Sequence, residues 1–179
     1  MVMRARIDNG RVAEVLSAAP FPEFHPALVW VDAPPDVRPG WWYTDGQFTD
    51  HDPEIDNVRA SKLAELSAAC EALILSGFHS DTLGAPRLYP YTDRDQMNLH
   101  VAVLDAAINA DTVDWATPLM CADAAGAWSY VMHSPAQTIA VGDAANAFRI
   151  AALMKNARLA QCVAEAATID EINAIGWDK

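Results

Sequence analysis

The sequence predicts an α+β protein, in which a small N-terminal antiparallel β-sheet precedes a mainly helical domain with an inserted β-hairpin. Two turn signals, Asn9-Gly10 and Asp45-Gly46, lie between short segments rich in strand-forming residues. Beyond Asp50 the chain becomes alanine-rich, with apolar residues three or four positions apart. We therefore expect two domains, a β leader over residues 1–50 and a helical domain over 51–179.

Each turn signal in the leader predicts a hairpin, because a type I′ turn needs two residues with positive φ. We expect a strand on each side of each turn, over residues 4–7 and 11–16 for the first hairpin and 41–44 and 47–49 for the second. A fifth strand is expected between the two hairpins, over residues 27–31. Two hairpins alone are marginally stable in water. The leader must therefore pack on the rest of the chain, on a second copy or on a partner.

The first helix is expected from Pro53, a residue suited to the first helical position, to Ser76. Gly77 follows as a typical terminating glycine. Four apolar residues spaced three, four and three positions apart form one seam along this helix: Leu63, Leu66, Cys70 and Leu73.

Further elements follow from capping signals. Residues 78–91 predict an irregular or β-like arm, and Thr92 or Asp93 can cap a helix over residues 94–109. One face of that helix carries Met97, Val101, Leu104 and Ile108. A hairpin is expected over about 113–133, with arms at 113–121 and 127–133. Capping boxes that begin at Ser134 and Thr168 then predict a long helix ending near residue 167 and a short final helix.

Net charge, hydropathy and cysteine spacing argue against several functions and locations. The net charge of −12 disfavours binding to nucleic acid or to an anionic membrane surface. No uncharged apolar run reaches the roughly 18 residues of a membrane span, so we expect no membrane insertion. The three cysteines, far apart in the sequence, are expected as buried thiols in a reducing cytoplasm, and the N-terminus shows no secretory signal.

The sequence contains no recognisable catalytic, cofactor-binding or metal-binding motif, so we expect no enzymatic activity and no cofactor. The alternating acids at 50–56 resemble half of a calcium loop, but the loop glycine and the closing glutamate are absent. A solvated junction near a helix N-terminus is the favoured interpretation of these acids.

Tryptophans suggest both core and contact positions. Trp115 and Trp128 are expected to face each other across the hairpin arms, as part of the core. Trp41 and Trp42 are adjacent on a predicted strand and must point to opposite faces. The leader residues Trp41, Trp42, Tyr43 and Phe48 are therefore our candidate partner interface, with a sheet covered on both faces as an equal alternative.

The polar residues near the start of the second predicted helix have two interpretations. Capping and structural hydrogen bonds are the first, and a polar ligand site is the second. We expect a structural hub that holds three elements together, made of Asp93, Asp95, Gln96, Trp128 and Gln137.

Several short motifs occur in an order that carries a family resemblance. They include Gly77-Phe78, Asp95-Gln96, Asn98-Leu99, Trp128 and Ile175-Gly176-Trp177. The stretch of about 58–178 resembles a domain family of unknown biochemical role from tailed-phage and prophage tail-gene clusters. The leader, through Pro39-Gly40-Trp41 and the motif at 43–48, is similar to the small β leader that accompanies such domains.

The resemblance implies a non-enzymatic bacteriophage tail protein, made in the host cytoplasm and located in the virion tail, at the fibre or baseplate. Its partners would be other tail proteins, and a homo-oligomer, with a trimer as the first guess, is also implied. One alternative is a tail-fibre assembly chaperone that is absent from the mature virion. A less favoured alternative is a wall- or glycan-degrading hydrolase, which would need paired carboxylates or a metal in a cleft.

Overall fold

The computed structural model describes residues 3–17, 20–50 and 52–178. It is an α+β protein, which confirms the predicted fold class. The chain divides into two compact units, Met1–Ala60 and Ser61–Lys179. This division lies inside the first helix, ten residues beyond the expected boundary at Asp50.

The first unit contains a five-stranded antiparallel sheet with the strand order β3-β1-β2-β4-β5. Its strands are β1 (Met3–Asp8), β2 (Arg11–Leu16), β3 (Val29–Ala33), β4 (Trp42–Thr44) and β5 (Gln47–Thr49). Both predicted turns are present, since Asn9, Gly10, Asp45 and Gly46 all have positive φ. A small core is formed by Ala5 of β1, Val12 of β2 and Val37, which follows β3.

In the described part of the chain four helices follow, and their positions agree with the predicted ones. They are α1 (Pro53–Leu75), α2 (Asp93–Ile108), α3 (Pro135–Glu165) and α4 (Ile169–Ala174). Complete capping boxes begin α2, α3 and α4, with Thr92, Ser134 and Thr168 as the N-caps. The side chain at each N-cap accepts a hydrogen bond from a backbone N–H that the helix itself leaves unpaired.

The second unit also contains a four-stranded antiparallel sheet, which is larger than the single hairpin predicted. Its strands, in spatial order, are β6 (Phe78–Ser80), β7 (Arg87–Tyr89), β8 (Thr117–Ala122) and β9 (Trp128–His133). Residues of the expected β-like arm form β6 and β7, and the pairing of Leu88 with Ala122 joins them to the predicted hairpin. The first hairpin arm begins at Thr117, four residues later than expected.

The core of the second unit is aromatic at its centre. The Phe78 and Tyr89 rings stack with centroids 5.4 Å apart, and Tyr91 meets Phe78 edge-on at 5.2 Å. Val141 and Ala145 of α3 complete this cluster. The sheet and the long helix are thus held together by one continuous apolar core.

Two sequence predictions about burial need correction. In α1, Leu66 and Cys70 are buried, but Leu63 and Leu73 at the ends of the predicted seam are partly exposed. The expectation of three buried thiols is wrong for Cys162, which is exposed. A helical period identifies residues that share a face, but it does not show how far a neighbour covers that face.

None of the helices within the described ranges is both long and apolar enough to cross a membrane.

Candidate partner-binding groove

A groove of about 610 Å³ lies between α2 and the β8–β9 hairpin. Buried side chains of Phe78 and Tyr89 line its floor. Residues of α2 from Asn98 to Ile108 line one wall, and Met120 and Tyr130 belong to the opposite wall. We call this cleft the α2–hairpin groove.

The α2 helix has two apolar faces, and the described residues of the chain cover only one of them. On the covered face Ala106 is fully buried, and Val103 packs against Gly142 of α3. On the other face the exposed fraction runs from 52% for Leu104 to 82% for Ile108. The exposed face consists of the residues that the sequence placed on one side: Met97, Val101, Leu104 and Ile108.

Exposed apolar side chains continue from α2 onto the hairpin. Alternation along β9 places Trp128, Tyr130 and Met132 on one face of the sheet, and each is at least half exposed. Val101, Leu104, Ile108 and Tyr130 line the groove itself. Contiguous exposed apolar surface of this kind marks sites of interaction with other molecules.

The groove carries acidic charge. Asp95 and Asp105 are the charged side chains that line it within the part of the chain that the structure describes. Asp105 accepts a hydrogen bond from the Asn109 amide at 2.9 Å, and Asp95 accepts one from the Thr92 backbone N–H at 3.0 Å. Asp105 is exposed and Asp95 is half-buried. Negative charge at the groove favours a cationic partner group.

A buried polar pair lies beside the groove floor. The Tyr89 hydroxyl is 2.9 Å from Nε2 of His133, and Nδ1 of His133 is 2.8 Å from the Val131 carbonyl oxygen. Because a carbonyl oxygen only accepts, Nδ1 carries the proton and Nε2 accepts the Tyr89 O–H. Both ring nitrogens are therefore satisfied in the neutral imidazole.

The environment of this pair keeps both groups uncharged. Burial raises the pKa of Tyr89 to about 12, and the neighbouring Cys121 thiol acts in the same direction. Burial also lowers the pKa of His133, although the bond to Val131 opposes that shift. A fully buried, neutral imidazole with both nitrogens bonded suits a structural role better than proton transfer to a substrate.

The polar residues of the predicted hub make short-range contacts at helix ends. Gln96 donates to the Tyr91 carbonyl at 3.1 Å, and Gln137 accepts from the Ser134 backbone N–H at 2.9 Å. Thr92, rather than Asp93, caps α2. Asp93 and Gln96 do line a second cavity of about 220 Å³ among α1, α2 and α3.

The predicted core pairing of Trp115 with Trp128 is wrong. Trp115 lies before β8, and the cross-strand neighbour of Trp128 is Ala122. Trp128 is half exposed. The sequence placed both residues on strands from their β propensity alone, whereas the first strand begins only at Thr117.

The leader aromatics of the candidate interface are all half-buried. Trp41 packs against the small core, and Trp42 lies under the Arg11 guanidinium, 4.3 Å from it. The Tyr43 and Phe48 rings are 4.8 Å apart on neighbouring strands. These contacts occupy part of each ring and leave part accessible, so a partner interface here remains a prediction.

No group of three or more His, Cys, Asp or Glu side chains within 3–17, 20–50 and 52–178 is arranged to hold a metal ion. At the acidic junction, Asp52 accepts a hydrogen bond from the Glu54 backbone N–H at 2.9 Å. Asp56 pairs with Arg59 at 3.2 Å. These contacts accord with the interpretation of the acids as a helix start.

Sequence reasoning identified the apolar residues of α2 but not the groove. The hairpin wall, with Met120 and Tyr130, was missed as a contact surface. The alternation of large apolar residues at 128, 130 and 132 was the available signal, because it predicts a strand with one apolar face. Only the fold shows that this face borders the exposed face of α2.

The fold and the groove define a two-unit α+β protein whose larger unit presents an open apolar cleft between a helix and a sheet. The chain belongs to the family described as "Domain of unknown function (DUF4376)", whose model matches residues 57–176, about two thirds of the chain. Searches of curated proteins and of solved structures found no significant match.

Proposed function

We propose that this protein is a non-enzymatic structural component of a bacteriophage tail, associated with the fibre or the baseplate. The order of motifs between Gly77 and Trp177 supports the tail context by resemblance. The α2–hairpin groove supports the mode of action, because its exposed apolar walls suit the binding of another protein. The partners are other tail proteins, and the site of action is the virion tail.

The geometry of the groove argues against a glycan-degrading hydrolase. Such enzymes place two carboxyl groups roughly 5–9.5 Å apart on either side of the bond that they cleave. Asp95 and Asp105 lie on one helix ten residues apart, which corresponds to about 15 Å along the axis. They do not face each other across the groove, and Asp95 is already engaged at the helix cap.

An assembly chaperone is the second candidate, and the same groove favours it. A chaperone must present apolar surface while it is alone, so that it can bind a segment that later becomes buried elsewhere. The exposed fraction of 70% at Tyr130 satisfies that requirement. A chaperone and a structural component differ in whether the protein stays in the finished particle.

Quantitative mass spectrometry of purified virions and of the matching lysate tests the proposal. A structural component gives peptides in the particle at a fixed ratio to the other tail proteins. Abundant peptides in the lysate with none in the particle would overturn that role and support the chaperone. Clearing of a cell-wall substrate in a zymogram of the purified protein would contradict both non-enzymatic functions.

A further inference from the structure

We propose that the α2–hairpin groove binds an amphipathic helix of a partner protein, with basic residues beside its apolar stripe. This inference deepens the proposed function by assigning the chemistry of the partner, and it therefore rests on that function for the partner's origin.

The spacing of the exposed face favours a helical occupant. Val101, Leu104 and Ile108 line the groove and are three and four residues apart, and Met97, outside the groove, continues the same exposed face four residues earlier. That repeat is the pattern by which one helix packs its side chains against another. The wall from Asn98 to Ile108 is about 15 Å long, which matches nearly three turns of a helix.

The opposite wall gives the occupant a second apolar contact. Tyr130 is exposed on this wall, with Met120 beside it, and both face the same groove as Leu104. A helix inserted between them would bury its stripe on two sides, as in helix-in-groove recognition. An aromatic side chain such as Tyr130 is a typical anchor of protein interfaces.

Charge distinguishes a basic partner from a second copy of this chain. The described residues that line the groove include two carboxylates, Asp95 and Asp105, and no cationic side chain. The chain carries a net charge of −12. A second copy would bring more negative charge to an acidic cleft, whereas Lys or Arg residues beside an apolar stripe would be attracted to it.

The probe for the test is a labelled 18-residue helical peptide with leucines along one stripe and lysines on both flanks. Fluorescence anisotropy with the full chain should show micromolar binding that weakens as salt is raised. A peptide of the same composition with its stripe scrambled, and one with glutamates in place of the lysines, should each bind at least about tenfold more weakly.

Groove variants locate the binding. Leu104→Asp and Tyr130→Ala should each weaken binding of the lysine-flanked peptide by about tenfold or more. Asp105→Asn should reduce the salt dependence. Met154→Asp is the control, because Met154 is an apolar residue on α3 that lies outside the groove and is about as exposed as Tyr130, and it should leave binding unchanged. Thermal melting of each variant verifies that it is folded.

Equal loss of binding in the Met154→Asp control would overturn the inference, as would undiminished binding of the glutamate-flanked peptide or no binding at about 100 μM. So would light scattering that shows a dimer dissociated by Leu104→Asp, because a second copy would then occupy the groove. The peptide assay and the virion assay fail independently. Peptide binding without virion incorporation leaves the groove assignment standing and overturns only the role as a structural component of the tail.

Discussion

The Tyr89 hydroxyl lies 2.9 Å from Nε2 of His133, and this hydrogen bond connects β7 with β9, the two strands that flank β8. Tyr89 also belongs to the floor of the groove. One buried bond therefore fixes the sheet behind the candidate binding site. A rigid floor reduces the conformational entropy that a partner must remove when it binds.

Tyr89→Phe should lower the free energy of unfolding of the second unit by about 1–3 kcal/mol, because Nε2 of His133 is left buried without a donor. Urea denaturation monitored by circular dichroism measures this change. Tyr130→Phe is the matched control, since Tyr130 is exposed, and its effect should stay within about 0.5 kcal/mol. Equal effects of the two substitutions would contradict the structural role of the buried bond.

The free energy of unfolding should decrease on both sides of neutral pH, because His133 and Tyr89 each titrate differently in the native and unfolded states. Below the ordinary His pKa of 6.5 the unfolded imidazole binds a proton that native His133 resists, so stability is lost as pH falls towards the lower native pKa. Above pH 10 the unfolded phenol ionises while native Tyr89 stays neutral, so stability is lost as pH rises towards about 12.

Denaturation curves between pH 5 and 6.5, and between pH 9.5 and 11.5, compare the wild type with two variants. His133→Gln should flatten the acidic slope, and Tyr89→Phe should flatten the alkaline one. Parallel curves for the wild type and both variants would show that neither group titrates differently in the native and unfolded states.

Gly77→Ala should be strongly destabilising because two costs coincide. Gly77 has a φ of +96°, and an added Cβ would lie 2.5 Å from the Tyr89 carbonyl oxygen. Gly84 also has a positive φ, of +83°, but has no atom within 4 Å of its Cβ position. We expect Gly84→Ala to cost about 1 kcal/mol and Gly77→Ala clearly more. Thermal melting compares them, and similar values would argue against a close approach at Gly77.

Trp41→Ala and Trp42→Ala should lower the free energy of unfolding of the first unit by different amounts. Trp41 packs on the core of the first unit, so its removal should cost about 2 kcal/mol or more. Trp42 stacks on Arg11, a contact worth about 0.5–1 kcal/mol. Thermal melting and a pull-down of tail proteins measure the two effects. Equal destabilisation with unchanged partner binding would assign both residues to the core rather than to an interface.

Local signals in the sequence predicted most of the elements. The Asn9-Gly10 turn and the capping boxes at Ser134 and Thr168 depend only on residues close in sequence, so a short stretch of sequence is enough to predict them. The pairing of Leu88 with Ala122 joins strands about thirty residues apart, and no local pattern specifies it. The sheet of the second unit was therefore only half predicted.

The candidate site was harder to predict because small residues make the internal contacts of α2. Ala106 is fully buried, and Val103 packs against Gly142, since small side chains let two helices approach closely. A search for apolar periodicity selects large residues such as Leu104 and Ile108 as the face that packs in the core, but in the fold these residues are exposed. A sequence pattern thus identified the apolar face but could not show that it stays exposed in the fold.

Site-specific photocrosslinking inside the virus-producing cell tests whether the α2–hairpin groove binds a tail protein in the virion. A photoreactive phenylalanine in place of Tyr130 positions the crosslinker within the groove, and the same residue in place of Gln161, exposed on α3, is the control. We predict a covalent adduct between position 130 and an identified tail protein, recovered in purified particles and absent from position 161. An adduct confined to the lysate, equal adducts from both positions, or no adduct from position 130 would contradict it.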